Sequence, residues 1–296
     1  MVIVQLLGGL GNQMFQYALG KSLAVSNNTI LKVDTSVLLD HRPGVHAVNR
    51  NYELDIFRLH VERASPWDIW RYNTHSLSIP GKIAGRLYKV AAGDSTIRER
   101  HFHFDETIPA LKGDIYLTGT WQSYRYLFTE KEIRSDFQFR HQLEGTPASI
   151  ADEIDRVQSV CLHVRRTDYI TVKNSKDTLG FIGIDYYKKA IAHLSSLHSG
   201  LHYFIFSDDM EWCRQHLEFI KAPVTFVSNH YAGAKPAIDL DLMTKCKHFI
   251  IPNSTFSWWA AWLCSNVNKT VIAPQKWMND QMLDTKDLMP GDWHRL

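Results

Sequence analysis

The chain has 296 residues, 45% of them apolar and 22% charged, with a net charge of +2. That balance is ordinary for a soluble globular protein and excludes a general nucleic-acid binder, which needs a large basic excess. The length exceeds one typical core and suits two domains.

The first apolar run, "VIVQLL", reads as a strand with no basic segment before it, so no signal peptide is expected. No window reaches 18 apolar residues, so no membrane span is expected either. A glycine turn follows in "LLGGLGNQMFQYALGK", and then a helix with Phe15, Ala18, Leu19, Ser22 and Leu23 on one face. "TILKVD" (29–34) is a second strand. Residues 41–105 are irregular and rich in Arg, His and aromatics, and "DIYLTGTW" (114–121) is a third strand. The boundary is expected in "LEGTPAS" (143–149), for its Gly, Pro and Ser. This divides the chain into domains 1–148 and 149–296.

Beyond the boundary the pattern becomes regular. "SVCLHV" (159–164) is a strand, and "DYYKKAIAHLSSLHS" (185–199) a helix with Asp185 as N-cap. "HYFIFSDD" is a strand, "MEWCRQHLEFI" a helix and "VTFVS" a strand. "AIDLDLMTKCK" is a helix, "HFIIP" a strand, "SWWAAWLC" a helix and "TVIAP" a strand. Alternation with continuously apolar strands predicts a parallel sheet covered on both faces. The four cysteines, 161, 213, 246 and 264, form no CxxC pair. A reduced, metal-free, cytoplasmic setting is expected, at most peripheral to a membrane.

In open parallel sheets ligands bind beyond the carboxyl ends of the strands. After "SVCLHV" stand Arg165 and Arg166, with His163 just inside the strand. A guanidinium fork suits phosphate oxygens. Side chains alternate along an extended segment, so one arginine faces a ligand and the other pairs with a carboxylate such as Asp168. Two surface arginines explain "HVRRTDY" equally well when it is taken alone. After "HFIIP", "NSTFSWW" offers three hydroxyls at a helix start, where an anion is favoured. A single N-cap accounts for only one of them. Trp258 and Trp259 are assigned to core packing. "SDD" is adjacent rather than spaced, and Asp208 or Asp209 serves equally as a helix cap, so no metal is assigned.

Four segments in this order, "GGLGNQMFQYA", "HVRRTDY", "FSDD" and "IIPNSTFSWWAAWL", resemble glycosyltransferase family 11, the bacterial α-1,2-fucosyltransferases that use GDP-L-fucose. The resemblance runs from Gly8 to about Pro274. It implies an α/β, GT-B-like architecture: two Rossmann-like domains facing across a cleft, with GDP on the C-terminal one. It implies Arg165 at the β-phosphate, His163 at guanine, and Asp239 at the guanine N1 and N2 edge, with Asp241 as rival. Ser254, Thr255 and Ser257 would hold phosphate, and Gly9, Gly11 and Asn12 would lie near the diphosphate and fucose. Asp208 is grouped with the nucleotide-sugar residues, and Trp121 and Gln122 with the acceptor. For Trp121, packing between domains is an equal alternative. Departures from the family pattern fall at Thr167, Pro252 and Ala260.

The implied reaction is an inverting transfer from GDP-β-L-fucose to the 2-hydroxyl of a terminal galactose, as in an O-antigen glycan, giving an α-1,2 linkage. No cofactor or metal is implied. Asp168, Asp177 and Asp208 are the carboxylates available as base. Three alternatives are a fucosyltransferase of other linkage, an NAD-dependent oxidoreductase and a non-catalytic glycan-binding protein. The second lacks its third glycine, where the chain has Met14.

Overall fold

The computed structural model describes residues 1–39, 50–70, 72, 95–166, 182–227, 236–279 and 283–296. The chain forms two compact units. The first comprises Met1–Gln138 with Lys286–Leu288, the second Phe139–Thr285 with Met289–Leu296.

In the first unit five strands form one sheet: β1 (Val2–Gln5), β2 (Leu31–Asp34), β3 (Glu62–Arg63), β4 (Thr96–Arg98) and β5 (Ile115–Thr118). Their order is β3-β2-β1-β5-β4, and every pair is parallel. Chain order runs outward from β1 to one side through β2 and β3, then restarts on the other side. The switch point therefore lies between β1 and β5. The Leu10–Ser26 helix packs on this sheet and is buried on almost every side, not along one stripe. Its polar members Gln13, Gln16 and Ser22 are buried with the rest.

The second unit holds β6 (Gln158–Val164), β7 (Leu201–Ser207), β8 (Val224–Phe226), β9 (His248–Ile250), β10 (Val271–Ala273) and β11 (His294–Arg295). All pairs are parallel, in the order β11-β10-β9-β6-β7-β8. This is the doubly wound Rossmann order, with its switch point between β6 and β9. Val160, Leu162 and Val164 of β6 join Tyr187, Ala190 and Leu194 of the Ile184–Leu197 helix in a continuous core. Trp258 and Trp259 are fully buried, edge to face at 5.1 Å, as core packing requires.

Several expected boundaries move. "LEGTPAS" is no linker: a helix spans Gly145–Arg156, with Pro147 in its first turn, where its missing N–H costs nothing. The units divide at Gln138/Phe139, and Lys286–Leu288 return to the first. Gly183, not Asp185, is the N-cap of the 184–197 helix; Asp185 sits in the first turn, where its charge suits the helix dipole. β5 stops at Thr118 because Gly119 (φ +154) and Trp121 (φ +56) leave the extended region. β3, β4 and β11 are too short for periodicity to betray them. All four cysteines are buried and free. Among the described residues no helix is long and apolar enough to cross a membrane.

Candidate active site

The switch point of the second sheet collects the charged loop after β6 and the helix start after β9. Two acids after the neighbouring β7 grip the first of these. Asp208 Oδ1 accepts from the Arg166 backbone N–H at 2.9 Å, and Oδ2 lies 3.3 Å from Arg165 Nη1. Arg166 Nε lies 3.2 Å from Asp209 Oδ2, and its guanidinium sits 4.6 Å over the Trp212 ring. The two arginines therefore have different carboxylate partners, Asp208 for Arg165 and Asp209 for Arg166. Arg166 thus lies between Asp209 and Trp212; Asp168, the carboxylate expected to pair with one arginine, lies outside the described residues, as does Asp177. Asp209 also caps the Met210–His216 helix through Trp212 N–H at 3.1 Å. Asp208 was grouped with the nucleotide ligands and with the possible bases. In the structure its two oxygens lie against the arginine loop, one at the Arg166 N–H and one at the Arg165 guanidinium.

His163 is buried, its ring 6.0 Å from that of Phe256. Burial, with the nearby Arg165 charge, pushes its pKa down to about 3, so the imidazole is neutral at physiological pH. Its Nδ1 has no hydrogen-bond partner among the described residues.

Ser254 is the N-cap of the Thr255–Leu263 helix, yet its hydroxyl makes no capping bond. That leaves the hydroxyl beside the first helical amides, which have no intrahelical acceptors. Thr255 follows, half-buried. Ser257 is different: it is fully buried, and its hydroxyl donates to the Ser254 carbonyl at 3.2 Å. It stands in the first turn of the helix, so this bond runs back to the N-cap residue three positions earlier. Asn253 Nδ2 donates to the Trp277 carbonyl at 3.1 Å and so anchors the loop.

Asp239 and Asp241 occupy the Ala237–Lys245 helix. Asp241 Oδ1 lies 3.4 Å from Lys245 Nζ, one helical turn on. Asp239 Oδ1 is buried with no hydrogen-bond partner among the described residues. Burial pushes the Asp239 pKa up to about 6. A buried carboxylate oxygen without a partner is costly.

At the switch point of the first sheet the glycine turn meets the loop after β5. Two glutamines in consecutive helical turns pin it. Gln16 accepts from Leu7 N–H at 3.0 Å and donates to the Gly119 carbonyl at 3.1 Å. Gln13 donates to the carbonyls of Gly8 at 2.9 Å and Asn51 at 2.8 Å, and accepts from Glu53 N–H at 3.0 Å. Gly9 is the N-cap of the 10–26 helix and Gly11 lies buried inside it. Asn12 does not cap this helix; its Oδ1 accepts from Gln122 Nε2 at 3.0 Å. Trp121, with positive φ, is buried edge-on against Tyr126 at 5.8 Å. Its Nε1 and Gln122 Oε1 are buried without hydrogen-bond partners among the described residues.

Gly8 has φ +75, and a Cβ there would meet Asn12 Nδ2 at 2.5 Å. Gly8→Ala is thus expected to cost roughly 1–2 kcal/mol from the left-handed backbone alone. Thermal unfolding would show a Tm lower by a few degrees; an unchanged Tm would mean the turn is relaxed.

Sequence reasoning did not single out Gln13 and Gln16, which pin the glycine turn. Two glutamines three apart, on one face of a largely apolar helix, were the available signal.

The family model described as glycosyl transferase family 11 matches residues 95–296. The chain is 30% identical to an alpha-1,2-colitosyltransferase of Escherichia coli, covering 100% of this chain and 98% of the relative. It is 30% identical to the O-antigen biosynthesis glycosyltransferase WbnK of Escherichia coli, covering 92% and 93%. Identity to the galactoside 2-alpha-L-fucosyltransferase Sec1 of Mus musculus is 27%, covering 89% of this chain and 64% of that one. Among solved structures, fucosyltransferase NodZ from Bradyrhizobium superposes with a TM-score of 0.50 at 13% identity, covering 88% and 93%. At that identity the likeness concerns the fold alone.

Proposed function

This chain belongs to glycosyl transferase family 11, and from that premise we propose that it transfers L-fucose from GDP-β-L-fucose to the 2-hydroxyl of a terminal galactose. It is a glycosyltransferase of α/β, GT-B-like fold, which sets aside the oxidoreductase and the non-catalytic glycan binder. The proposal supplies the donor, the acceptor and the stereochemistry.

The observation that carries the nucleotide half is the orphaned Asp239 Oδ1 beside a paired Asp241. Guanine offers two adjacent donors, N1–H and N2–H₂, which one ionised carboxylate accepts together. Neutral His163 carries an unpartnered Nδ1 and is assigned to the same base. Arg165 and the amides and hydroxyls of Ser254 and Thr255 are assigned to the diphosphate, with Asp208 holding Arg165 in place. Gly9, Gly11 and Asn12 are assigned to the sugar diphosphate, and Trp121 and Gln122 to the acceptor.

In the reaction the fucose C1–O bond to the β-phosphate breaks, and the bonding pair leaves with GDP. The galactose O2 attacks the opposite face, forming the α-linkage and losing its proton. Charge grows on the departing diphosphate, where a positioned guanidinium and a helix start stabilise it without a metal. Of the carboxylates considered as base, Asp208 is engaged with the arginine loop. Asp168 and Asp177 remain. The enzyme is placed on the cytoplasmic side, peripheral to the membrane that bears its glycan acceptor.

A second donor has one observation behind it, the colitosyltransferase relative of equal length. Colitose is fucose without the 3-hydroxyl. A site built to bond that hydroxyl rejects the deoxy sugar by about 10⁴–10⁵, whereas an apolar contact there does not. The deciding experiment offers GDP-fucose and GDP-colitose with a panel of galactosides, with and without EDTA, followed by linkage analysis. Fucose on galactose O2, unaffected by EDTA, is expected. Colitose transfer alone would replace the donor, and a different linkage would replace the acceptor position.

A further inference from the structure

Glu99 lies just beyond β4, and its backbone N–H continues that pairing to the Thr118 carbonyl of β5 at 3.0 Å. Its carboxylate is spent on the turn that follows β5. Oε2 accepts from Thr120 N–H at 2.6 Å and from the Thr120 hydroxyl at 2.8 Å, and Oε1 accepts from Trp121 N–H at 2.9 Å. Only glycine admits this approach at residue 119, where a Cβ would meet Glu99 Oε2 at 2.7 Å. The bonds hold Trp121 at φ +56, a conformation that bulky residues rarely adopt. Such strain persists where surrounding contacts over-determine it, and it gathers at functional sites. The other end of the turn is tied as well: Ser123 Oγ donates to the Asp287 carbonyl at 2.7 Å, and Tyr124 N–H to the same oxygen at 3.2 Å.

Between these anchors the strained turn presents Gln122, whose Nε2 donates to Asn12 Oδ1. The Gly119 carbonyl accepts from Gln16, which also clamps Leu7 at the entry to the glycine turn. The loops after β1 and β5 are thereby one bonded assembly at the switch point of the sheet.

We propose that Glu99 is a positioning residue for glycosyl transfer: by holding the Gly119–Gln122 turn in its left-handed course, it aims Gln122 and, through it, Asn12 of the glycine turn. This rests on the glycosyltransferase reading of that face and adds the residue that organises it. Burial raises the Glu99 pKa, and the three hydrogen bonds oppose the rise. A carboxylate is the side chain that accepts from all three donors at once.

Glu99→Gln tests this, because it keeps the shape but turns an NH₂ toward an N–H donor. We expect kcat for fucosyl transfer to fall roughly ten- to a hundredfold, as for a small misplacement of reacting groups. GDP affinity by calorimetry should change far less than kcat. Hydrogen exchange should accelerate in residues 119–123 and 8–13 and nowhere else. Gln122→Leu, which cuts the relay one step later, should lose kcat similarly, with faster exchange at 8–13 and none added at 120. Wild-type kcat in Glu99→Gln, or faster exchange throughout the chain, would overturn the proposal. A wild-type enzyme that ignores GDP-fucose while the local exchange pattern holds would refute the donor assignment and leave the Glu99 relay standing.

Discussion

Arg165→Ala is expected to lower the transfer rate by about 10²–10³-fold, equivalent to roughly 2.7–4 kcal/mol of transition-state stabilisation, the loss seen when one preorganised donor to a developing negative charge is removed. The leaving diphosphate gains negative charge as the fucose C1–O bond breaks. Arg165 stands at the switch point of the second sheet and is held by Asp208 at 3.3 Å, so little reorganisation is needed when that charge appears. Arg166 cannot replace it, because its guanidinium is fixed over Trp212 beside Asp209. Arg165→Lys should recover only part of the rate, since an ammonium lacks the fork that meets two phosphate oxygens. Folding should be little affected, because Asp208 retains its bond to the Arg166 N–H. Rates at saturating GDP-fucose, with circular dichroism as the control for folding, decide the matter. Near-wild-type turnover in Arg165→Ala would remove Arg165 from the reaction.

The second large effect is expected in Asp239→Asn, with opposite signs for binding and stability. GDP affinity should fall about 10–150-fold, the worth of roughly 1.5–3 kcal/mol for hydrogen bonds to a charged group. The unliganded fold should become more stable at pH 7. Burial raises the Asp239 pKa from 3.8 to about 6, so the folded state holds the proton more tightly than the unfolded chain. The ionised group is therefore a penalty. It grows as pH rises from about 4, is complete above about 6, and amounts to on the order of 2–3 kcal/mol. An asparagine carries no such penalty. Because guanine needs the ionised form, wild-type GDP affinity should rise between pH 5 and 7 and then level off, while the variant stays flat. His163 titrates near 3 and is silent in this window. Calorimetry across pH checks the first sign and thermal unfolding without ligand the second. Asp241→Asn breaks only the pair with Lys245 and should leave GDP binding intact. Loss of GDP binding there, with retention in Asp239→Asn, would reverse the two assignments.

Much of the fold was legible in the chain because parallel strands buried on both faces are continuously apolar, as in "SVCLHV", "HYFIF" and "HFII". Breakers were misread where burial overrode them. Gly145 and Pro147 look like a linker, yet they open a helix that packs Ile150 and Ile154 inward. Proline is harmless in a first turn, and composition does not report which turn it occupies. The short strands β3, β4 and β11 are set by pairing to longer neighbours, so their own residues carry no period.

The sequence by itself determined the family, the alternation of strand and helix, and the segments that carry charge and hydroxyls to strand ends. Those are properties of local composition and order. The tertiary structure decided which member of each pair is available. Asp208 meets the Arg166 N–H across 42 residues because β6 and β7 are parallel neighbours. Asp241 is neutralised by Lys245, while Asp239 is left with an orphaned oxygen. Ser257 is turned inward, whereas Ser254 keeps its hydroxyl out of the cap. The Glu99 carboxylate reaches the turn after β5 only because β4 lies beside β5. Pairing and burial depend on neighbours distant in the chain, and side-chain type alone does not name them.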